Sequence, residues 1–511
     1  MDREKNLLLA GKLAPELKKW IVPAKNVVDL VKSPKPWQQT AAVPAFPAEN
    51  LPDQMLAKGE RIVLDFGETL VGKVRLRLEC LRSIDSPVKL KFLAAELPYE
   101  AAGDPETFES GLGRGWLQED MITVYELPAE IELPYRWSFR YLVVDVVACP
   151  RTRFKITKAE AVAQSSAGQE LPAPLPGWER EMRLIDEACA RTLRNCMQDF
   201  PEDGPKRDRR LWLGDLRLQA LVNHVTFRRY DQFERGIQFL AGCTDDRGMI
   251  PAAVMMSPEP HGSSFILDYS LIFARLLLEH CRFSGNPELG GELFEAAEKQ
   301  LDFFRAALDE NLGFHHPGGW LFIDHCQKLD RTAPMVCAAI WGAEALAELA
   351  ELLNRPAGKI DALRQEADSW RKALRASSFD PELGMLRSGY ERQLSWASQI
   401  WGTLAGVLSP EEARAALVRL QDLPDAVGPQ TPYLMHYFLE ACRACGAEDL
   451  LENTIRRYWG GMIRHGADTF WEAYKEGDDF YTPYGDDPRN NSACHAWSST
   501  PSFFLRTKGK F

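Results

Sequence analysis

Ser165-Ser166-Ala167-Gly168-Gln169-Glu170-Leu171-Pro172-Ala173-Pro174-Leu175-Pro176-Gly177 divides this chain in two. Three prolines between two glycines suit an extended linker better than a helix or a strand. Before it the apolar residues alternate. Arg61-Ile62-Val63-Leu64-Asp65-Phe66-Gly67, Gly72-Lys73-Val74-Arg75-Leu76-Arg77-Leu78, Val88-Lys89-Leu90-Lys91-Phe92 and Tyr141-Leu142-Val143-Val144-Asp145-Val146-Val147 are short strand-like runs separated by turns. That pattern predicts an antiparallel β-sandwich over residues 51–170. Residues 1–50 carry no such pattern and stay an unassigned extension.

After the linker the period changes to three and four. It holds in 182–200, 216–240, 267–283, 293–308, 336–353, 360–374, 393–408, 410–420, 433–445 and 450–462. The second run is long enough to split in two, and a last segment lies near 495–505, giving about a dozen helices. Helices of this length joined by loops form a solenoid of pairs or a closed toroid. No repeat signature is present, which favours the toroid over residues 178–511.

The chain has 511 residues, 45% hydrophobic and 26% charged, as expected of a folded protein with a large core. Its net charge of -12 speaks against a nucleic-acid partner, whose phosphates call for a basic surface. The N-terminus has no signal-peptide pattern and no stretch is apolar enough to span a membrane, so no membrane partner is expected. Eleven cysteines without a metal-like array fit reduced thiols in the cytoplasm. Cys442-x-x-Cys445 lies in a helical stretch, and the adjacent His315 and His316 are poor paired ligands, so neither metal nor cofactor is expected. Nothing excludes an oligomer.

Chemistry concentrates in two places. Asp203-Gly204-Pro205-Lys206-Arg207-Asp208-Arg209-Arg210-Leu211-Trp212-Leu213-Gly214-Asp215 packs three carboxylates and a Trp around a turn. Far downstream lies Thr469-Phe470-Trp471-Glu472-Ala473-Tyr474. Carboxylates from two distant segments beside aromatic rings are what a glycosidase uses: one acid protonates the leaving oxygen, a second carboxylate activates water, and flat rings stack on a sugar.

These residues carry a resemblance. The run 203–215 resembles the motif of glycoside hydrolase family 78, the α-L-rhamnosidases: Asp, Cys or Gly, Pro, any residue, Arg, an acidic residue, then Trp-x-Gly-Asp. Leu64-Asp65-Phe66-Gly67-Glu68 leading into Val71-Gly72-Lys73-Val74 is similar to the family's accessory β-domain. Phe470-Trp471-Glu472 is similar to the segment of its general base, and Ser492-Ala493-Cys494-His495-Ala496-Trp497-Ser498 to its closing His-bearing motif. The resemblance implies an (α/α)6 barrel with an inverting site at its mouth, Asp208 as acid and Glu472 as base. It further implies substrate contacts from Asp203, Arg207, Trp212, Asp215, His495 and Trp497. The family's acid is usually Glu, and Asp208 is shorter by one methylene, about 1.5 Å of reach. Leu211 stands where Gly commonly precedes the Trp, and no counterpart of the β-domain that usually follows the barrel is expected after Leu505.

Each residue also has a plainer reading. Asp208 could be a loop aspartate paired with Arg207 or Arg210, and Glu472 a helix-terminal glutamate. Asp215 could be an N-cap and Asp203 the start of an Asx-turn. Trp212 and His495 could be core residues. Asp268 and Asp324, at helix borders, are weaker candidates for the pocket wall. The expected activity is exo-acting hydrolysis of an imported α-L-rhamnoside, an oligosaccharide or other glycoside. The alternatives are the same fold and mechanism on another sugar, and a carbohydrate-binding protein without catalysis.

Overall fold

The computed structural model describes residues 2–485 and 487–508. Nine strands form one hydrogen-bonded antiparallel sheet: β1 (Lys18–Pro23), β2 (Asn26–Lys32), β3 (Thr40–Pro47), β4 (Arg61–Glu79), β5 (Val88–Ala95), β6 (Gln118–Val124), β7 (Ala129–Glu132), β8 (Trp137–Ala148) and β9 (Lys155–Ser165). The order is β1-β9-β4-β8-β5-β6; β2 pairs with β3 and β4, and β7 with β4.

Two expectations change here. The alternating runs are strands, but they join one continuous hydrogen-bonded sheet where a sandwich would have two. The cause is the 19-residue β4, which pairs with β8 from Arg61 to Gly72 and with β9 from Gly72 to Glu79. Its register shifts between Asp65 and Leu70, where Gly67 adopts φ +83° and Asp65 Oδ1 accepts from the Gly67 N–H at 2.7 Å. Only glycine takes that φ without strain. Nor are residues 1–50 a separate extension. β1 lies along β9, β2 along β4, and α1 (Arg3–Lys12) packs on a helix of the second half.

Along β4, Val74, Leu76 and Leu78 point into the main β core while Lys73, Arg75 and Arg77 face outward, as period-2 alternation requires. The opposite face is also covered. Val63, Leu93, Tyr141 and Val143 form a second apolar cluster with Ala101 of the short helix α2 (Pro98–Ala102).

From Arg180 onward the described residues are mainly helical: α3 (Arg180–Cys196), α4 (Leu213–Val225), α5 (Tyr230–Gly242), α6 (Leu267–Ser284), α7 (Pro287–Arg305), α8 (Thr332–Leu352), α9 (Ala357–Ser378), α10 (Trp396–Leu404), α11 (Pro410–Arg419), α12 (Pro432–Ala444), α13 (Glu448–Thr454), α14 (Gly460–Arg464) and α15 (Pro501–Arg506). Two small sheets lie between them, one of Leu211–Trp212, Ala253–Met255 and His261–Ser263 and one of Phe379–Asp380 and Met385–Leu386. The predicted runs fall on these helices, and the long run 216–240 does split. Local chemistry sets the ends. Gly285 closes α6 in the left-handed region and Pro287 opens α7; Ser409 and Glu412 form a reciprocal capping box on α11.

Burial alternates along the chain. α4, α6, α8, α10 and α12 are buried on nearly every side, while α7, α9 and α11 bury one stripe. Contacts run α4–α6–α8–α10–α12, then to the short turn Ala496–Ser498 and back to α4. Loops at one end of these helices carry the acidic clusters. Residues 509–511, included in the expected helical domain, lie outside the described residues.

Gly72 is where β8, β4 and β9 meet. A Cβ there would stand 2.2 Å from the Val162 carbonyl oxygen and 2.7 Å from Ala163 Cα, both backbone atoms that cannot rotate away. Gly72→Ala should therefore destabilise the protein by about 1–3 kcal/mol in urea unfolding. An unchanged midpoint would contradict this packing.

Candidate active site

A cavity of about 320 Å³ opens among these loops, lined by Asp203, Arg207, Asp208, Trp212, Asp215, Glu472, His495 and Trp497. The residues expected from the sequence as catalytic or substrate-binding thus line one pocket. Asp203 to Asp208 come from the loop after α3, and Asp215 from the first turn of α4. Glu472, His495 and Trp497 come from the long segment between α14 and α15.

Arg207 ties the two candidate catalytic groups together. Its Nη2 donates to both oxygens of Glu472 at 2.6 Å, its Nη1 to Asp208 Oδ1 at 3.3 Å, and its Nε to the Asn490 carbonyl at 3.0 Å. With both carboxyls on one guanidinium, their nearest oxygens lie no more than roughly 8 Å apart. That upper bound admits the roughly 6.5–9.5 Å of an inverting pair with a water between its carboxyls, and equally the closer spacing of a retaining pair.

Glu472 is buried at 3% exposure. Burial alone would push its carboxyl up, but the charge of Arg207 and then donation from Ser492 N–H (2.9 Å) and Tyr484 Oη (2.5 Å) outweigh it and hold it at about 2. It is an ionised acceptor, and it is not helix-terminal. Tyr484 Oη also meets His325 Nε2 at 2.7 Å. Because the carboxylate can only accept, Tyr484 gives its proton to Glu472, and His325 Nε2–H donates to Tyr484. The guanidinium of Arg207 lies 4.6 Å from the centre of the Tyr484 ring.

Asp208 does pair with Arg207 and, at 3.5 Å, with Arg210, as its plainer reading held. It does so inside the pocket, with its side chain 18% exposed toward the mouth. Asp203 accepts from the Arg210 N–H at 3.0 Å and the Asp208 N–H at 3.4 Å, closing the loop on itself. Burial, and then the negative charge of Asp208, push the Asp203 carboxyl well above the carboxylate range. Asp215 is raised too, by burial and then by Asp203 and Glu472. It is not the N-cap of α4, a place Trp212 takes, but lies in the first turn. His495 is driven down to about 3 by burial, against the pull of Glu472, and is neutral. Its Nδ1 lies 3.6 Å from Asp215 Oδ1, and neither atom has a hydrogen-bonding protein partner among the described residues. Carboxyls raised by burial beside an imidazole held neutral are matched to sugar hydroxyls, which both give and accept.

Asp268 and Asp324 do not line the pocket. Asp268 accepts from Phe322 N–H and Ile323 N–H at 3.0 and 2.9 Å; Asp324 accepts from Thr431 Oγ1 and Gln430 N–H at 2.6 Å each. They pin the loop that presents Trp320, Phe322 and His325 to the pocket. The sequence reading missed those three, Arg210, Tyr269 and Tyr484, and also Leu112 and Trp116 from the β domain. Tyr484 left a trace in the aromatic run after Glu472. Leu112 and Trp116 left none, since their loop reaches the pocket only through tertiary packing.

Carboxyl groups set deep in an aromatic-walled pocket define a glycoside hydrolase, and the comparisons agree. Residues 24–163 match the glycosyl hydrolase family 78 alpha-rhamnosidase N-terminal domain, and residues 179–508 the bacterial alpha-L-rhamnosidase 6 hairpin glycosidase domain. The chain belongs to glycoside hydrolase family 78. It is similar over 100% of its length, and 99% of the other's, to a rhamnosidase from Klebsiella oxytoca with rhamnose bound, at 35% identity and a TM-score of 0.96. It shares its fold with the family 78 rhamnosidase of Bacillus sp. GL1 (21% identity, TM-score 0.75, 92% of this chain and 49% of that one). It also shares it with the Streptomyces avermitilis α-L-rhamnosidase complexed with L-rhamnose (15%, 0.69, 97% and 44%). Curated protein sequences give no match.

The depressed Glu472 carboxyl contributes stability that is complete above its unfolded pKa of about 4.3 and is lost as pH falls toward the folded value. Tyr484→Phe removes one cause of the depression, so wild type should exceed this variant in stability by more at about pH 6 than at about pH 2. Urea unfolding at both pH values checks this; a difference that does not shrink on acidification would exclude Tyr484 as a cause.

Proposed function

We propose that this chain is an inverting exo-α-L-rhamnosidase whose catalytic unit, residues 178–511, is an (α/α)6 barrel preceded by a β domain. The observation that carries the mechanism is Arg207, holding Asp208 and Glu472 on one guanidinium across a single pocket. The ring of contacts through α4, α6, α8, α10 and α12 supports the barrel. The full-length likeness to a rhamnosidase holding rhamnose supports the sugar.

Asp208, whose side chain is 18% exposed, takes up a proton from solvent and delivers it to the glycosidic oxygen as that oxygen's bond to the anomeric carbon breaks, regaining its charge as the leaving group departs. Asp203, raised above the carboxylate range, keeps a proton beside Asp208. A water on the opposite face bonds to the anomeric carbon and gives its proton to Glu472. Glu472 is a weak base at rest, which suffices because the water becomes strongly acidic as its oxygen bonds to an oxocarbenium-like centre. Asp215 and His495 meet the sugar hydroxyls, while Trp212 and Trp497 wall the ring. The substrate is a small glycoside in the cytoplasm, a compartment supported by the eleven free cysteines.

Asp208→Asn and Glu472→Gln should each lower turnover by roughly 10²-fold or more on a poorly leaving substrate such as a rhamnosyl disaccharide. Sugar affinity should change far less, because both replacements keep the shape. Asp208→Asn should recover in part on a nitrophenyl α-L-rhamnoside, whose leaving group needs little protonation; Glu472→Gln should not. Steady-state kinetics decide. Full activity in both variants would reject the mechanism. Tight rhamnose binding by a wild type that hydrolyses no glycoside would favour the binding-protein reading.

A further inference from the structure

The β domain reaches the active site through one buried carboxylate. Glu96, just past β5, is 1% exposed. Its Oε1 accepts from Ser138 Oγ at 2.5 Å, and its Oε2 accepts from the Ala493 N–H at 2.5 Å and stands 4.0 Å from Lys206 Nζ. Glu100 in α2 accepts from the Glu96 N–H at 3.0 Å and pairs with Lys206 at 2.9 Å. Lys206 Nζ also donates to the carbonyls of Arg489 and Asn491, each at 2.9 Å.

Both residues that Glu96 engages are neighbours of the reacting groups. Lys206 directly precedes Arg207 and Asp208. Ala493 follows Ser492, whose N–H donates to Glu472 Oε2 at 2.9 Å and whose Oγ donates to the Arg207 carbonyl at 3.0 Å. We propose that Glu96 is a positioning residue for hydrolysis: it holds Lys206 and Ala493 at a fixed spacing, so that Arg207 spans Asp208 and Glu472. The proposal rests on the hydrolase reading above.

Packing alone does not call for this arrangement. A buried carboxylate costs several kcal/mol in desolvation unless its partners restore it, and an apolar residue would join two domains at less cost. Burial pushes the Glu96 carboxyl up to about 7, even with Lys206 opposing. Glu160, in β9, is the internal contrast. It is as buried, at 4% exposure, yet its ion pairs run to Arg75 and Lys158 within the sheet.

The test compares Glu96→Ala, Glu96→Gln and Glu160→Ala on a nitrophenyl α-L-rhamnoside and a rhamnosyl disaccharide. Misplacing the acid–base pair acts on the transition state, so Glu96→Ala should lower kcat on the disaccharide by roughly 10-fold or more, with KM within about 3-fold. The loss should be smaller on the nitrophenyl substrate, where the acid matters less. Glu96→Gln keeps an acceptor for the Ala493 N–H and should restore most of kcat. Glu160→Ala should lower Tm while leaving kcat unchanged. Wild-type kcat in Glu96→Ala, a loss confined to KM, or an equal loss of kcat in Glu160→Ala would each overturn the proposal. Should Glu96→Ala not fold, Lys206→Met carries the test, and wild-type kcat there overturns it. Failure of wild type to hydrolyse either substrate would instead overturn the hydrolase reading, so the two failures are told apart.

Discussion

A buried guanidinium must satisfy its N–H donors inside the protein, and Arg207 makes four hydrogen bonds, two to Glu472 and one each to Asp208 and the Asn490 carbonyl. Segments from opposite ends of the helical domain are thereby joined at one charge. Removing one partner of such a pair leaves an uncompensated buried charge, at a cost of about 3–5 kcal/mol. The distance between Asp208 and Glu472 is therefore capped by one planar group that both carboxyls share. Lysine, a point charge without the fork, could not impose it.

The rest of the fold serves that contact. The helices in contact from α4 through α6, α8, α10 and α12 place the loop after α3 and the segment before α15 together at the pocket. The β domain grips both from the side, through Glu96 and Glu100 on Lys206 and Ala493, and Arg136 on Glu202 at 2.9 Å. Trp37, from the turn between β2 and β3, packs its ring 5.0 Å from Trp471 and 5.1 Å from Tyr474, on either side of Glu472. The β domain thus takes part in building the site. Exposure rises outward: Asp215, His495 and Glu472 are buried, Asp208 is partly open, and Trp320 at the pocket wall is 45% exposed.

Much of this was legible in the sequence, for physical reasons. The change of apolar period at Ser165–Gly177 reports which elements bury one face and which bury a stripe, so the β-then-α order and the helices could be read directly. The acidic-aromatic clusters around Asp208 and Glu472 line one pocket because a charged group packed among rings needs a reason to be there. What stayed hidden depends on pairing at long range. Alternation does not say that β4 bonds to β8 and then β9, so one sheet looked like two. β1 and β2 are short, and they are placed by pairing with strands distant in sequence, β1 with β9 and β2 with β4. His325, Leu112 and Trp116 carry no local mark of a site. Asp215 looked like a cap because a first-turn aspartate and an N-cap differ by a few residues of register.

On the proposed mechanism Asp208 and Glu472, joined on one guanidinium, act as acid and base with a water attacking directly from between them. Stereochemistry reads this most closely. Proton NMR during hydrolysis of an α-L-rhamnoside should show β-L-rhamnose as the first-formed anomer, before mutarotation brings the mixture to equilibrium. First-formed α-L-rhamnose would mean a covalent intermediate and a carboxyl pair at the closer, retaining distance of about 5–5.5 Å, and would contradict the account.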